Sequence, residues 1–258
     1  MKKYISISLV VASIMIGCAS GGDSSSSAGT ASSGNTGKGG SLARFTISGD
    51  KLYTINERDI NAFDISTPST PVPDISQSVP WDVETLYSYG DYLFVGAQSG
   101  VYIYNKELDK VSEFTHAKSC DPVVIQDGIA YVTLSSGSSC RVNSIENTLQ
   151  FIDVRDPLKP TLLGKKNMFH PTGVGIDGDT LFVCDGAGGL KVFDVNVTEN
   201  NETNQTAVAL TYDKTSSQSE LSCYDVIAHK NLLIVSNDKD VKQFDYSHLP
   251  MVPLGDIK

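Results

Sequence analysis

Four cysteines, a few histidines and three aspartates are the residues of this 258-residue chain whose type and placement could do chemistry. Cys120, Cys140, Cys184 and Cys223 form an even set, which in an exported protein points to disulfides. With His116 and His170 the same thiols could hold zinc, but no CxxC or HxxxH pair is present and the spacings are long, so no metal site is expected. Asp82, Asp121 and Asp225 each stand just before an apolar run, in Trp81-Asp82-Val83, Cys120-Asp121-Pro122 and Tyr224-Asp225-Val226. His170, before Pro171, occupies a fourth position of that kind. Carboxylates converging from such positions could bind a polar ligand or hold a divalent ion for hydrolysis. Alternatively each aspartate caps its own turn by accepting backbone N–H groups. The chain has four histidines and no GxSxG, so no nucleophile–base pair is suggested. Gly186-Ala187-Gly188-Gly189 links two strands with no helix after it and is not a phosphate loop. Asp177-Gly178-Asp179 lacks the ligand run of a calcium loop. No cofactor is expected.

The elements that must position these residues come from one repeated pattern, clearest in Gly173 to Val195. Ile176 and Leu181-Phe182-Val183 flank Asp177-Gly178-Asp179, a strong short-range hairpin signal. Gly186 to Gly189 make a second turn, and Leu190, Val192 and Val195 then alternate with Lys191 and Asp194, the period of a partly buried strand. Equivalent third strands are Asp59 to Ile65, Gly100 to Lys106, Thr148 to Val154 and Asp240 to Tyr246. Asp64, Asn105, Asp153, Asp194 and Asp245 are separated by 41, 48, 41 and 51 residues. The long spacings follow from an insertion at Leu134 to Asn147 and an extension at Asn196 to Gln205. A short fourth strand follows each third, preceded closely by Pro71, Pro160 or Pro250 in three copies, as suits an edge. Repeats of roughly 40–45 residues with four short strands are propeller blades. The expectation is an all-β, five-bladed β-propeller of four-stranded antiparallel blades over 41–258, closed by side-chain packing between blades 1 and 5.

The copies resemble the LVIVD-repeat family, through GLKVFDV, TLQFIDV and the trailing Asp156-Pro157-Leu158-Lys159-Pro160 and Ser66 to Pro71. The second copy departs, with Asn105 for the aspartate and Lys106-Glu107-Leu108-Asp109 for the proline-rich turn. The resemblance implies a β-propeller of a secreted or envelope protein and no catalytic residues.

Residues 1–18 read as an export signal: Lys2 and Lys3, then the apolar run Ile5 to Ile16, too short to span a bilayer. Met15-Ile16-Gly17-Cys18 resembles a bacterial lipobox, with Cys18 as the lipidated residue; ordinary secretion, with cleavage near Ala19-Ser20, is the alternative. Ala19 in place of aspartate suits an outer-membrane lipoprotein of the cell envelope. Residues 19–40, almost all Ser, Gly, Ala and Thr, read as a flexible tether with a mean span on the order of 25 Å. Beyond the signal the chain has 18 basic and 30 acidic residues. That balance argues against nucleic acid as a partner; it serves solubility, with recognition of a cationic ligand as the alternative.

In a propeller the first strand of each blade runs away from the top face and the second returns to it. Cys120 and Cys223 precede first strands, Cys184 ends a second strand, and Cys140 lies in a second-to-third connection. All four therefore belong to the top face, and the simplest pairs are Cys120–Cys140 and Cys184–Cys223. Asp82, Asp121, Asp225, Trp81 and His170 gather at the same mouth as the candidate ligand site. Two functions fit: a monomeric, membrane-anchored, non-catalytic module binding a protein or glycan, or a metal-assisted hydrolase or lactonase with its site in the channel mouth. The first is preferred, because only three aspartates fit the second.

Overall fold

The computed structural model describes residues 39–56, 58–79, 83–97, 99–115, 122–136, 146–200 and 205–257. They form five antiparallel sheets, each of four strands in sequence order, the blades of a β-propeller. Blade 1 comprises β1 (Phe45–Ser48), β2 (Lys51–Ile55), β3 (Asp59–Asp64) and β4 (Val72–Ser78). Blade 2 comprises β5 (Val83–Tyr89), β6 (Tyr92–Ala97), β7 (Gly100–Asn105) and β8 (Lys110–Thr115). Blade 3 comprises β9 (Val123–Gln126), β10 (Ile129–Leu134), β11 (Thr148–Asp153) and β12 (Thr161–Asn167). Blade 4 comprises β13 (Val174–Asp177), β14 (Thr180–Cys184), β15 (Leu190–Asn200) and β16 (Gln205–Tyr212). Blade 5 comprises β17 (Asp225–His229), β18 (Leu232–Ser236), β19 (Val241–Asp245) and β20 (Val252–Ile257). The only helical turn among the described residues is Gly186–Gly188.

The hairpin chemistry read from the sequence is realised in the backbone. Gly178, after Asp177, has φ +57°, and in blade 5 Lys230 and Asn231 take φ 49° and 68°, the paired positive angles of a tight hairpin without glycine. Prolines fall on the outer strands, Pro73 opposite Phe63 and Pro253 opposite Phe244, where a missing N–H breaks no inner ladder.

Successive residues of a strand face opposite sides of its sheet, so one strand serves two interfaces. Phe182 packs with Val226, Leu233 and Phe244 of blade 5, while its neighbour Leu181 packs with Tyr131 and Phe151 of blade 3. Leu93 likewise faces Tyr53 and Ile60 of blade 1, and Phe94 faces Ile125 and Val132 of blade 3. Four apolar clusters thus join blades 1 to 2, 2 to 3, 3 to 4 and 4 to 5.

The fifth interface differs from the sequence expectation. Among the described residues no apolar cluster joins blade 5 to blade 1. Ile47, Leu52 and Phe63 of blade 1, and Ile227, Ile234 and Val241 of blade 5, are only half-buried. The ring is closed at the mouth by hydrogen bonds from the segment before β1. Ser41 Oγ donates to Asp225 Oδ1 at 2.8 Å, and Leu42 N to Asp225 Oδ2 at 3.2 Å. Val174 N donates to Ser41 Oγ at 2.8 Å, and Leu86 N to Ala43 O at 2.8 Å. Residues 41–43 therefore bond to blades 2, 4 and 5 from inside the mouth.

The fourth blade also differs. The stretch read as an extension after Asn196 is a strand continuation, pairing Asn196 with Ala209 and onward to Asn200 with Gln205. Val195, Val197, Val208 and Leu210 supply its period-two pattern.

Candidate functional site

The top face is the end at which the chain enters each first strand, and it is built around two of the aspartates at β-strand entrances and exits. Asp225 begins β17. Its Oδ1 accepts from Ser41 Oγ and from its neighbour Val226 N at 2.9 Å, and Oδ2 accepts from Leu42 N. Burial pushes this carboxyl above its ordinary value, against the opposing pull of those three donors. Gly40 lies against it because only a residue without Cβ can: an added carbon would fall 2.0 Å from Asp225 Oδ2. Asp225 accepts its neighbour's N–H, the turn-capping role, and adds a long-range latch to the segment before blade 1.

Asp185, buried just after β14, does comparable work in blade 4. Its Oδ1 accepts Phe169 N at 2.8 Å and His170 N at 2.9 Å, fixing the turn that enters β13. His170 then presents its ring to Ser135 Oγ, 2.9 Å from Nδ1. Asp185 was missed in the sequence; its signal was an aspartate directly after a second strand, facing the next glycine turn. Cys184, the residue before it, is bonded to Cys223 with Cα atoms 5.4 Å apart, well within the reach of a bridge. That pair is the one expected from blade register, and it joins blade 4 to blade 5 at the top.

The structure thus brings Asp225, His170, Cys184 and Cys223 to one end of the ring. Trp81, Asp82, Cys120, Asp121, Cys140, His116 and Cys18 lie outside the described residues. Exposed apolar side chains mark three of the first-strand entrances: Leu42 is 38% exposed, Phe169 64% and Tyr224 50%. Among the described residues no group of three His, Cys, Asp or Glu side chains is arranged to hold a metal ion.

No family model matches the chain, and no curated protein matches it. Solved structures do match. The computationally designed protein Ika8 superposes with a TM-score of 0.55 at 15% identity, over 83% of this chain and 60% of Ika8. The periplasmic gluconolactonase PpgL of Pseudomonas aeruginosa gives 0.54 at 13% identity, over 81% of this chain and 67% of PpgL. Apo AztD of Citrobacter koseri gives 0.51 at 12%, over 82% of this chain and 62% of AztD. At these identities the likeness is one of fold. The chain spans about 60% of the length of Ika8 and AztD.

Proposed function

We propose that this propeller is a non-catalytic binding head of the bacterial cell envelope, built from LVIVD-type repeats and held on the outer membrane by a lipid on Cys18. Its ligand is a protein or glycan engaged at the top face, near Asp82, Asp121, Trp81 and His170. The observation that carries the reading is the apolar rim: Leu42, Phe169 and Tyr224 project from the turns that enter blades 1, 4 and 5. Those turns are rigid, pinned by Asp185, by Asp225 and by the Cys184–Cys223 bridge. Fixed, exposed aromatic side chains at a rigid rim are what a recognition surface needs, because their contact area is gained with little ordering entropy. Asp225 favours this reading over the hydrolase one, since its carboxylate is already occupied by the chain's own donors. Repeat motifs and the Cys18 context support the family and the anchor.

The test is capture of defined envelope components, separated protein and glycan fractions, by the head and by a Phe169→Ser/Tyr224→Ser variant with unchanged thermal unfolding. Saturable capture lost in the variant supports the reading. Equal capture by both, or turnover of a lactone by the purified head, removes it. Cys18→Ala should separately abolish fatty-acid labelling and membrane retention; retention without Cys18 would place the anchor elsewhere.

A further inference from the structure

The opposite end of the ring carries a second feature that the top-face reading does not use. Between the lower ends of blades 3 and 4 lies a groove of about 540 Å³. Small-molecule sites occupy roughly 300–1,000 Å³, so it is of the size for a small ligand. Asp127 and Asp179 come from the first hairpin turns of the two blades, and Asp194 from the end of the part of β15 that pairs with β14. All three are exposed, and no cation is paired with them among the described ion pairs. Glu199, at the far side, is occupied by Arg155.

Two observations separate this place from an ordinary acidic surface. The first is Tyr131, which lines the groove and is only 1% exposed, yet has no hydrogen-bond partner among the described residues. The ring is buried but the hydroxyl is not sealed off: it opens into the groove, unclaimed by a described protein group. Tyr131 shares the groove lining with Asp127 and Asp179; burial raises its pKa, and the charges of those two carboxylates add to the rise. The second is rigidity. Gln126 Nε2 donates to Gly178 O at 2.7 Å, and Gly178 N donates to Gln126 Oε1 at 3.1 Å. This two-point clamp holds the hairpin turn of blade 3 against that of blade 4, and with it the separation of Asp127 from Asp179. Val195 and Val197 add apolar wall between the carboxylates.

The chemistry selects the ligand. These carboxylates are not arranged around one point as a metal ion requires. Spaced anions with intervening methyl groups complement spaced ammonium groups joined by methylenes, and Tyr131 can accept an N–H. We propose that this groove binds a linear aliphatic polyamine, its ammonium groups on Asp127, Asp179 and Asp194 and its methylenes on Val195 and Val197. This site goes beyond the top-face reading and stands without it.

Titration calorimetry with spermidine on the purified protein at low ionic strength tests it. The expected result is saturable one-to-one binding that weakens with added salt. An Asp179→Asn/Asp194→Asn variant should bind about tenfold more weakly or worse, at a few-fold per carboxylate. Tyr131→Phe keeps the ring that packs edge-on to Phe151 at 6.0 Å and should weaken binding several-fold. Spermidine should also perturb tyrosine absorbance in the wild type and not in Tyr131→Phe. The charge-matched control Glu220→Gln/Asp238→Asn should bind as the wild type does. The proposal is overturned by no saturable binding, by equal weakening in the charge-matched control, or by unaltered binding in the groove double variant. Tighter binding of tetralysine than of spermidine overturns the small-amine assignment in favour of a basic peptide.

Discussion

Asp225→Ala removes the latch that closes the ring, and its effect can be worked from three bonds. The carboxylate accepts Ser41 Oγ at 2.8 Å, Val226 N at 2.9 Å and Leu42 N at 3.2 Å. Bonds to an ionised acceptor contribute about 1.5–3 kcal/mol each, but burying the ion costs several kcal/mol, and the raised pKa shows that burial outweighs the donors. The net loss of global stability should therefore be modest, about 1–2 kcal/mol. The local loss is larger, because Ser41 also holds Val174 N and nothing else fastens blade 5 to the segment before β1 among the described contacts. Backbone amides of Leu42 and Val174 should exchange at least about tenfold faster, one decade per 1.4 kcal/mol of lost protection, with Phe182 unchanged. Asp225→Asn keeps an oxygen for Ser41 and Val226 and loses only Leu42, so its effect should be smaller. The sign with pH is also fixed. A carboxyl raised in the folded state contributes stability below its unfolded value of 3.8, and loses it as pH rises through the folded value. Asp225→Asn should flatten that part of the stability curve. Unchanged Val174 exchange in a folded Asp225→Ala protein would refute the latch.

Other perturbations have equally definite outcomes. Reducing Cys184–Cys223, which closes a loop of sequence separation 39, should lower stability by about 4 kcal/mol in the chain-entropy account, read by denaturant unfolding with and without reductant; a change under 1 kcal/mol (about fivefold in the equilibrium) would show the bridge to be passive. Lys106, desolvated between Ser48 and Ser88, is pushed down to about 8 from 10.5, so the folded state releases its proton first. Stability should rise from about pH 8 toward 10.5, by at most about 1.4 kcal/mol per pH unit, and Lys106→Met should remove the rise. Tyr104 and Tyr131, raised to about 12 by burial, act in the opposite sense above pH 10, so urea midpoints between pH 7.5 and about 9.5 isolate the lysine. Gly173→Ala places a carbon 2.4 Å from Asp225 Cα and 2.6 Å from Tyr224 O, and should destabilise by about 3 kcal/mol; a neutral result would mean that the first strands of blades 4 and 5 can separate freely.

The blades were legible because their signals are local: a turn pair, alternation, an edge proline. Cys184–Cys223 was legible for the same reason, since blade register alone brings the end of β14 to the start of β17. Asp225 was legible as a cap, through Val226, but not as a latch, because its partner Ser41 lies 184 residues away and precedes any strand. The β15–β16 ribbon was hidden by its asparagines, which read as an extension between strands although Val195, Val197, Val208 and Leu210 keep strand period. The lower groove was hidden differently. Asp127 and Asp179 read as hairpin formers, which they are, and only superposing the blades puts them side by side. The clamp through Gln126 has no sequence signature.

The uneven ring gives the disulfide a reason for its place. Blades 2, 3 and 4 bury both faces, so each is held by two apolar interfaces. Blade 5 buries one face only, against blade 4, and its other face leaves Ile227 and Ile234 half-buried. A blade with one interface opens more readily than its neighbours, since local stability follows buried contact. Cys184–Cys223 fastens that blade to the interface it has, and Asp225 ties its entrance to Ser41 across the interface it lacks. Blade 1 is supported from the other direction. Arg44 Nη2 donates to Val83 O at 3.3 Å, and Tyr53 packs into the blade 1–2 core beneath Lys106. Ser41 to Arg44 is thus where blades 1, 2, 4 and 5 meet. Any load reaching the head through the chain before Gly40 falls first on hydrogen bonds to Asp225 and Val174 rather than on packed side chains. The covalent bridge stands directly behind them, so loss of the latch frees the first residues while the fifth blade stays attached.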